Sequence, residues 1–143
     1  MKQKLLLALV TVILAGSLLG GAKQVYANNH GDTTFSFSYY ADGTDHAISP
    51  RPKQDNTASY MKNNASSINL MVSVAGTNSK YGNTGINPNR CSGVCLMPKG
   101  SYRYMSNNVY GRYKYAYLVM GADDKRTHTV SGKWSPDNIS GRY

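Results

Sequence analysis

The sequence contains no glutamate, so all seven of its acidic residues are aspartates. Glutamate is a good helix former, whereas aspartate competes with the helical backbone and favours turns. Beyond residue 27, no segment of ten or more residues combines helical periodicity with capping residues. We therefore expect a chain of strands and turns rather than helices.

Recognisable catalytic motifs are also missing. There is no Gly-x-Ser-x-Gly elbow and no His-Glu-x-x-His helix. The lack of glutamate also removes a common general acid of sugar hydrolysis. A hydrolytic site that combines His30, His46 or His128 with a serine or an aspartate would require the fold to bring these distant residues together. We predict a protein that is not an enzyme and needs no cofactor, with a hydrolase as the weaker hypothesis.

Two small polar clusters contain residue types that bind cations. Asp42, Asp45 and His46 lie beside a glycine, and Asp123 is followed by Asp124. Neither cluster has the number or spacing of ligands found in a calcium-binding loop. We interpret both as ordinary turn residues and predict no metal site.

The only long apolar run lies at the start of the chain. Lys2 and Lys4 precede the apolar segment Leu5–Leu19, and Val25–Ala27 has the small residues of a cleavage site. The run is about 15 residues long, short of the roughly 20 that span a bilayer as a helix. We predict a secretory signal peptide at residues 1–27 and a single secreted β-domain at residues 28–143; the alternative is an uncleaved membrane anchor.

Negative charge is scarce in the segment expected after cleavage. It has 13 basic residues against 7 acidic ones, a net charge of +6. The electric field of a secreted cationic protein attracts polyanions. The expected partners are anionic cell-wall polymers, matrix polysaccharide or extracellular DNA. Because the basic residues are scattered along the chain, the alternative is that their charge only keeps the protein soluble.

Only two cysteines are present, Cys91 and Cys95, separated by three residues. In an exported chain, this spacing favours a disulfide that closes a small loop. Such a short loop contributes little closure entropy, so the bond would mainly fix local geometry. Reduced thiols are the alternative interpretation.

Several short segments have the pattern of strands. Phe35–Tyr40 alternates apolar and polar residues, and Ile68–Ala75 places Ile68, Leu70, Val72 and Val74 on one apolar face. Further extended segments are expected at Ile48–Lys53, Thr57–Lys62 and Tyr102–Met105, and a long irregular loop at Gly76–Arg90. The pattern predicts an all-β fold, a small antiparallel β-sandwich or barrel.

The densest aromatic and basic segment is Gly111–Trp134. Its pattern predicts two strands joined by a turn at Gly121–Lys125, with Tyr113, Tyr115 and Tyr117 on one face. Arg112 and Lys114 fall on the opposite face. We expect this hairpin to be the centre of the fold.

Tyrosines that alternate with cations are typical of surfaces that bind sugars or single-stranded nucleic acid. Stacking on an aromatic ring contributes about 1–3 kcal/mol per base in nucleic-acid complexes. The predicted binding residues are Arg103, Arg112, Lys114, Arg126, Tyr102, Tyr104, Tyr113 and Tyr115. The alternative is that Tyr113, Tyr115 and Tyr117 line the core while Arg112 and Lys114 form a solvated face.

Four features together resemble a known but functionally uncharacterised family. They are the Phe35–Tyr40 run, Pro50–Pro52, the Cys91/Cys95 pair and the closing segment Gly132–Asp137. The chain resembles a family of small secreted proteins of Gram-positive bacteria with no assigned activity, and it shows a weaker likeness to bacteriocins of the lactococcin-972 type. The first resemblance implies no catalytic residues, and the second implies action on a cell-wall precursor.

These observations favour a secreted, non-enzymatic protein that is extracellular or associated with the cell wall. We expect it to bind the anionic cell envelope or extracellular matrix and to contribute to biofilm formation. The alternative is a bacteriocin-like toxin that acts on the cell wall of competitors.

Overall fold

The computed structural model describes residues 29–64, 67–82 and 88–140. These residues form nine strands in two antiparallel sheets and contain no helix, and hence no helix able to span a membrane. The all-β prediction is confirmed. The predicted signal peptide and its cleavage site lie outside the described residues.

The strands are assigned to two sheets by their hydrogen-bonded partners. They are β1 Thr33–Asp42, β2 His46–Ala47, β3 Arg51–Pro52, β4 Ser59–Asn63, β5 Leu70–Thr77, β6 Cys95–Met97, β7 Tyr102–Met105, β8 Tyr115–Gly121 and β9 Asp123–Ser135. Sheet A has the order β1-β9-β4-β7. Sheet B has the order β2-β8-β5-β6, with β3 also paired to β8.

The two sheets face each other across one apolar core, which makes the fold a sandwich. Alternation along β1 turns Phe35, Phe37 and Tyr39 inward, as the sequence predicts. Sheet A also contributes Met61 and Trp134 to this core. Sheet B contributes Leu70, Val72, Val74, Met97, Ala116, Leu118 and Met120.

Sheet B is buried on its outer face as well as its inner face. Ala75, Tyr117 and Val119 form a second apolar cluster there. Residues 47–50 and Tyr81–Gly82 line a small cavity of about 110 Å³ with Tyr117, so chain segments outside the sheet cover this face. Burial on both faces explains why β8 has buried residues at five consecutive positions.

The predicted hairpin over Gly111–Trp134 is wrong. β8 pairs with β2, β3 and β5 in sheet B, whereas β9 pairs with β1 and β4 in sheet A. The chain passes from one sheet to the other through Ala122. Sequence alternation shows that two segments are strands, but it does not show which strand each one pairs with.

The expected turn at Gly121–Lys125 is replaced by an irregularity within the strand pairing. Tyr40 pairs with Thr127 and Asp42 with Asp123, so three residues of β9 oppose the single residue Ala41 of β1. Lys125 adopts a φ of 60° at this point. The extra residues form a bulge that bends the start of β9.

The predicted disulfide is absent from the structure, in which Cys91 and Cys95 are free thiols. Both lie beside β5: the Cys91 amide donates to the Val74 carbonyl at 2.8 Å, and Cys95 pairs with Val72. The Cys91 side chain is buried in the main core and Cys95 packs against it. Burial raises the pKa of both thiols, which keeps them protonated at neutral pH.

A buried ion pair joins the two sheets at one end of the sandwich. Lys53 follows β3 of sheet B and Asp137 follows β9 of sheet A; their side chains are fully buried with Nζ and carboxylate 2.9 Å apart. Lys53 also donates to the Pro136 carbonyl at 2.7 Å, and Asp137 accepts from the Gln54 amide at 3.0 Å. The charges therefore have the additional hydrogen bonds that burial requires.

Candidate functional site: the outer face of sheet A

The outer face of sheet A is exposed over most of its length, in contrast to that of sheet B. The strand register places four sets of side chains on it: Thr34, Ser36, Ser38 and Tyr40 from β1, Thr127, Thr129, Ser131 and Lys133 from β9, Tyr60 and Lys62 from β4, and Tyr102 and Tyr104 from β7. Most of these are exposed. The face combines hydroxyl groups, aromatic rings and lysines.

Three tyrosines form a cluster at one end of this face. Tyr60 pairs with Tyr104 across β4 and β7, and their ring centroids are 5.3 Å apart. Tyr102 lies 6.2 Å from Tyr60 and 6.3 Å from Tyr104, the latter at an interplanar angle of 86°. These separations are typical of interacting aromatic rings, which hold one another in fixed positions. We call Tyr60, Tyr102 and Tyr104 the tyrosine cluster.

The tyrosine cluster lines an open groove of about 370 Å³. The remaining lining residues are His30, Asp32, Ser135, Asn138, Ile139 and Ser140. The Nδ1 atom of His30 is buried and has no hydrogen-bond partner among the described residues. Burial and the nearby Asp32 carboxylate raise the pKa of Tyr60, so its hydroxyl remains a proton donor. The groove therefore offers aromatic surfaces together with hydrogen-bonding groups.

Two lysines adjoin the tyrosine cluster. Lys62 pairs with Tyr102 on one side and Lys133 on the other. A hydrogen bond to Asp32 raises the pKa of Lys133, and the two groups form an ion pair at 2.8 Å. No salt bridge involves Lys62 among the described residues. Lys62 is thus available to an anionic group bound beside the tyrosines.

A double row of hydroxyl groups extends the face away from the cluster. Ser36 pairs with Ser131, Ser38 with Thr129, and the half-exposed Tyr40 with Thr127. Facing residues in such pairs lie about 4.5–5.5 Å apart, and each hydroxyl both donates and accepts hydrogen bonds. The row offers an uncharged, hydrogen-bonding strip about 14 Å long from Ser36 to Tyr40, given a rise of about 3.4 Å per residue.

The structure places the sequence-predicted binding residues on several surfaces. Tyr102 and Tyr104 belong to the tyrosine cluster, while Arg103 lies between them and opposite the inward-facing Met61. Arg126 lies towards the other end of β9, where it pairs with Asp124 at 2.9 Å.

Of the other four predicted residues, Arg112, Tyr113 and Lys114 lie in the segment just before β8 of sheet B, and Tyr115 is the first residue of that strand. Arg112 and Lys114 are exposed, and the Arg112 guanidinium lies 5.6 Å from the ring of Tyr113. Tyr113 packs against the main core, and Tyr115 pairs with Pro52. The positions of Tyr113, Arg112 and Lys114 agree with the alternative interpretation, whereas Tyr115 is half-buried and belongs to neither apolar cluster. A further detail differs, because Tyr117 joins the separate outer cluster of sheet B.

The sequence did not predict Tyr60, Lys62, Lys133 or His30 as binding residues, and His30 was considered only for the hydrolase hypothesis. The alternation of Tyr60 with Lys62 is a weak signal, because the segment is short and contains few apolar residues. The pairing of β4 between β7 and β9 brings these side chains together. That pairing joins segments separated by about 40 to 70 positions in the chain, so no local pattern encodes it.

The three histidines, considered in the hydrolase hypothesis, lie in different surroundings. His30 lines the groove, and His46 stacks on Phe37 at a centroid distance of 3.9 Å. Burial lowers the pKa of His46. His128 is hydrogen-bonded to both Ser67 and Asp124 at 2.8 Å. Among the described residues, no three His, Cys, Asp or Glu side chains are grouped to hold a metal ion.

The tyrosine cluster lies within a stretch shared with other proteins. A family described as "Protein of unknown function (DUF2712)" matches residues 23–138, which includes all nine strands. No curated protein and no solved structure matches the chain. The chain therefore belongs to the DUF2712 family of proteins of unknown function.

Proposed function

We propose that this protein is secreted and binds an anionic, sugar-containing polymer of the cell envelope or extracellular matrix through the outer face of sheet A. The observation that carries the proposal is the tyrosine cluster that lines an open groove, with Lys62 beside it. In this proposal, binding is the function of the face and it involves no catalytic step. Attachment of the protein to the polymer is its contribution to biofilm formation.

Each part of the face matches one chemical feature of such a polymer. Tyrosine rings stack on the apolar faces of sugars, and their hydroxyls form hydrogen bonds at the rim. Lys62 attracts a phosphate or carboxylate group carried by the chain. The serine and threonine hydroxyls match sugar hydroxyls, which also donate and accept hydrogen bonds. A long polymer would contact the groove and the hydroxyl strip at the same time.

The distribution of charge supports an anionic partner. Six of the seven aspartates lie in ion pairs with lysine, arginine or histidine, and Asp42 accepts hydrogen bonds from Thr44. Within the described residues, the lysines and arginines in no salt bridge are Arg51, Lys62, Lys80, Lys99, Arg103, Arg112 and Lys114. The uncompensated charge is therefore positive, and it attracts polyanions most strongly at low ionic strength.

Cosedimentation of the purified protein with isolated cell walls and with matrix polysaccharide tests the proposal. We expect Tyr102→Ala to weaken binding by about 10-fold, as the loss of about 1–3 kcal/mol of stacking predicts. Tyr110→Ala is the matched control, because Tyr110 is half-exposed and lies outside the face. Equal binding by the two variants would refute the role of the cluster.

The lysine contribution is tested by changing the salt concentration. Binding should fall as salt is added, and Lys62→Ala should bind less and respond less to salt than Lys80→Ala. Retention that salt leaves unchanged would count against an anionic ligand. Preferential competition by single-stranded DNA would identify nucleic acid as the ligand, and growth inhibition of related strains would favour the bacteriocin-like alternative.

A further inference from the structure

We infer that Ser67, His128 and Asp124 form a nucleophilic site that accepts an acyl group from an ester. This activity is separate from polymer binding, since none of these residues belongs to the outer face of sheet A. The inference rests on a continuous chain of hydrogen bonds through three side chains, of which Asp124 and His128 belong to β9 and Ser67 comes from a distant part of the chain.

The geometry assigns one role to each side chain. The Ser67 hydroxyl oxygen lies 2.8 Å from Nδ1 of His128, and Nε2 of His128 lies 2.8 Å from both carboxylate oxygens of Asp124. A neutral imidazole has one protonated nitrogen, and Asp124 as a carboxylate only accepts hydrogen bonds. Nε2–H therefore donates to Asp124, and Nδ1 is left to accept the Ser67 proton. This is the arrangement of nucleophile, base and orienting acid.

The bulge in β9 makes this arrangement possible. Residues four apart on a regular strand are separated by about 13 Å, too far for Asp124 to contact His128. The bulge and the positive φ of Lys125 bend the chain between them. The Asp124 carboxylate is thereby brought to the imidazole, although a regular strand would keep the two groups apart.

The environment suits a base at His128 and a nucleophile at Ser67. His128 is 9% exposed, so few water molecules compete for its nitrogens, whereas Ser67 is exposed in the segment that leads into β5. Burial raises the pKa of Asp124, but hydrogen bonds from His128 and Arg126 outweigh that effect and the pKa is lowered overall. Asp124 is therefore charged at neutral pH and stabilises an imidazolium formed at His128.

The reaction we infer consumes only an ester and water. The Ser67 oxygen attacks the ester carbonyl carbon while its proton moves to Nδ1 of His128. The bond to the alcohol oxygen then breaks, and the departing alcohol takes that proton. Water, deprotonated by Nδ1 of His128, then attacks the acyl carbon; the bond to the Ser67 oxygen breaks, His128 returns the proton to that oxygen, and a carboxylic acid is released. Because Ser67 is exposed, we expect the substrate class to be small O-acyl esters carried on larger molecules.

Labelling with a fluorophosphonate probe, read by peptide mass spectrometry, tests this site in the full-length protein. We expect modification of Ser67, with the exposed Ser49 much slower. His128→Asn should slow the labelling of Ser67 by about 100-fold or more, the usual contribution of a general base. Hydrolysis of p-nitrophenyl acetate should fall in parallel in Ser67→Ala.

Thermal unfolding separates the inferred chemistry from a structural role. Should His128→Asn fail to fold, Asp124→Asn serves in its place, because this carboxylate is only partly buried. Folded variants with slow labelling support the site. Absence of labelling at Ser67, or labelling at the parental rate in a folded His128→Asn or Asp124→Asn variant, would overturn the inference, and neither result would affect the test of polymer binding.

Discussion

The outer face of sheet B is covered by other segments of the chain, whereas the outer face of sheet A is open, although tyrosine occurs on both faces. Tyr117 on sheet B is 1% exposed beneath the segments that contain Ala47–Pro50 and Tyr81. Tyr102 on sheet A is 61% exposed. A tyrosine on a strand is thus buried in an apolar cluster in sheet B, whereas in sheet A it lines an open groove. The deciding factor is whether another part of the chain returns to cover the face.

The largest effect is expected at the buried ion pair that holds the two sheets together. Lys53→Met should lower the free energy of unfolding by about 3–5 kcal/mol, because it leaves the Asp137 carboxylate buried without its cation. Urea denaturation measures this loss. The double variant Lys53→Met/Asp137→Leu should recover most of it, since no buried charge remains. A double variant as unstable as the single one would contradict this explanation.

The comparison between the faces is tested directly by truncating one tyrosine on each. Tyr117→Ala should cost about 3 kcal/mol of unfolding free energy, in the range for large buried side chains. Tyr102→Ala should change it by less than about 0.5 kcal/mol, as is usual for surface positions. Similar losses in urea denaturation would show that the two faces are not distinct in the way the structure indicates.

A smaller change at Tyr117 tests how its hydroxyl is accommodated. The Tyr117 hydroxyl is buried and has no hydrogen-bond partner among the described residues, and burial raises its pKa. Tyr117→Phe removes an unsatisfied polar group while keeping the ring, so we expect it to stabilise the protein by about 1 kcal/mol. Tyr60→Phe on the open face is the control and should have little effect. A clear loss of stability in Tyr117→Phe would reveal a partner for the hydroxyl.

The smallest effect concerns acidification. Burial lowers the pKa of His46 below its ordinary value of 6.5, so the unfolded chain binds a proton more readily than the folded one. The contribution of neutral His46 to the stability of the fold is therefore complete above about pH 6.5. It is lost as the pH falls from there through the folded-state pKa of His46. Melting temperature measured between about pH 7.5 and pH 5 should fall less in His46→Phe than in the parental protein. Asp42, Asp55 and Asp124 have lowered pKa values and titrate below this window.

The alternation of apolar and polar residues predicted the strands well where one face of the strand is buried and the other is exposed to solvent. β1 and β7 lie where alternation places them, and Leu70, Val72 and Val74 form the expected core face of β5. Alternation also predicted a strand at β8, but both of its faces are buried, so the pattern did not show which face packs in the main core. The short strand β6 was missed, because three residues are too few to show a period.

The candidate site was predicted only in part. Tyr102 and Tyr104 were found because they alternate with Arg103 within one strand. Tyr60 and Lys62 reach them through pairing between β4 and β7, and Ser67 reaches His128 across the sandwich. Contacts of this kind depend on which strands become neighbours, and residue spacing contains no information about that choice.

The sequence by itself determined the net positive charge, which depends on composition alone. It also determined that the chain is all-β, because the lack of glutamate and the two-residue periodicity act locally on the backbone. Tertiary structure alone decided that β8 and β9 belong to different sheets and that one outer face is covered while the other is open. It also decided that a bulge brings Asp124 to His128. The physical reason is that strand pairing and packing join residues far apart in the chain and form cooperatively, so they depend on how the whole chain buries its apolar surface.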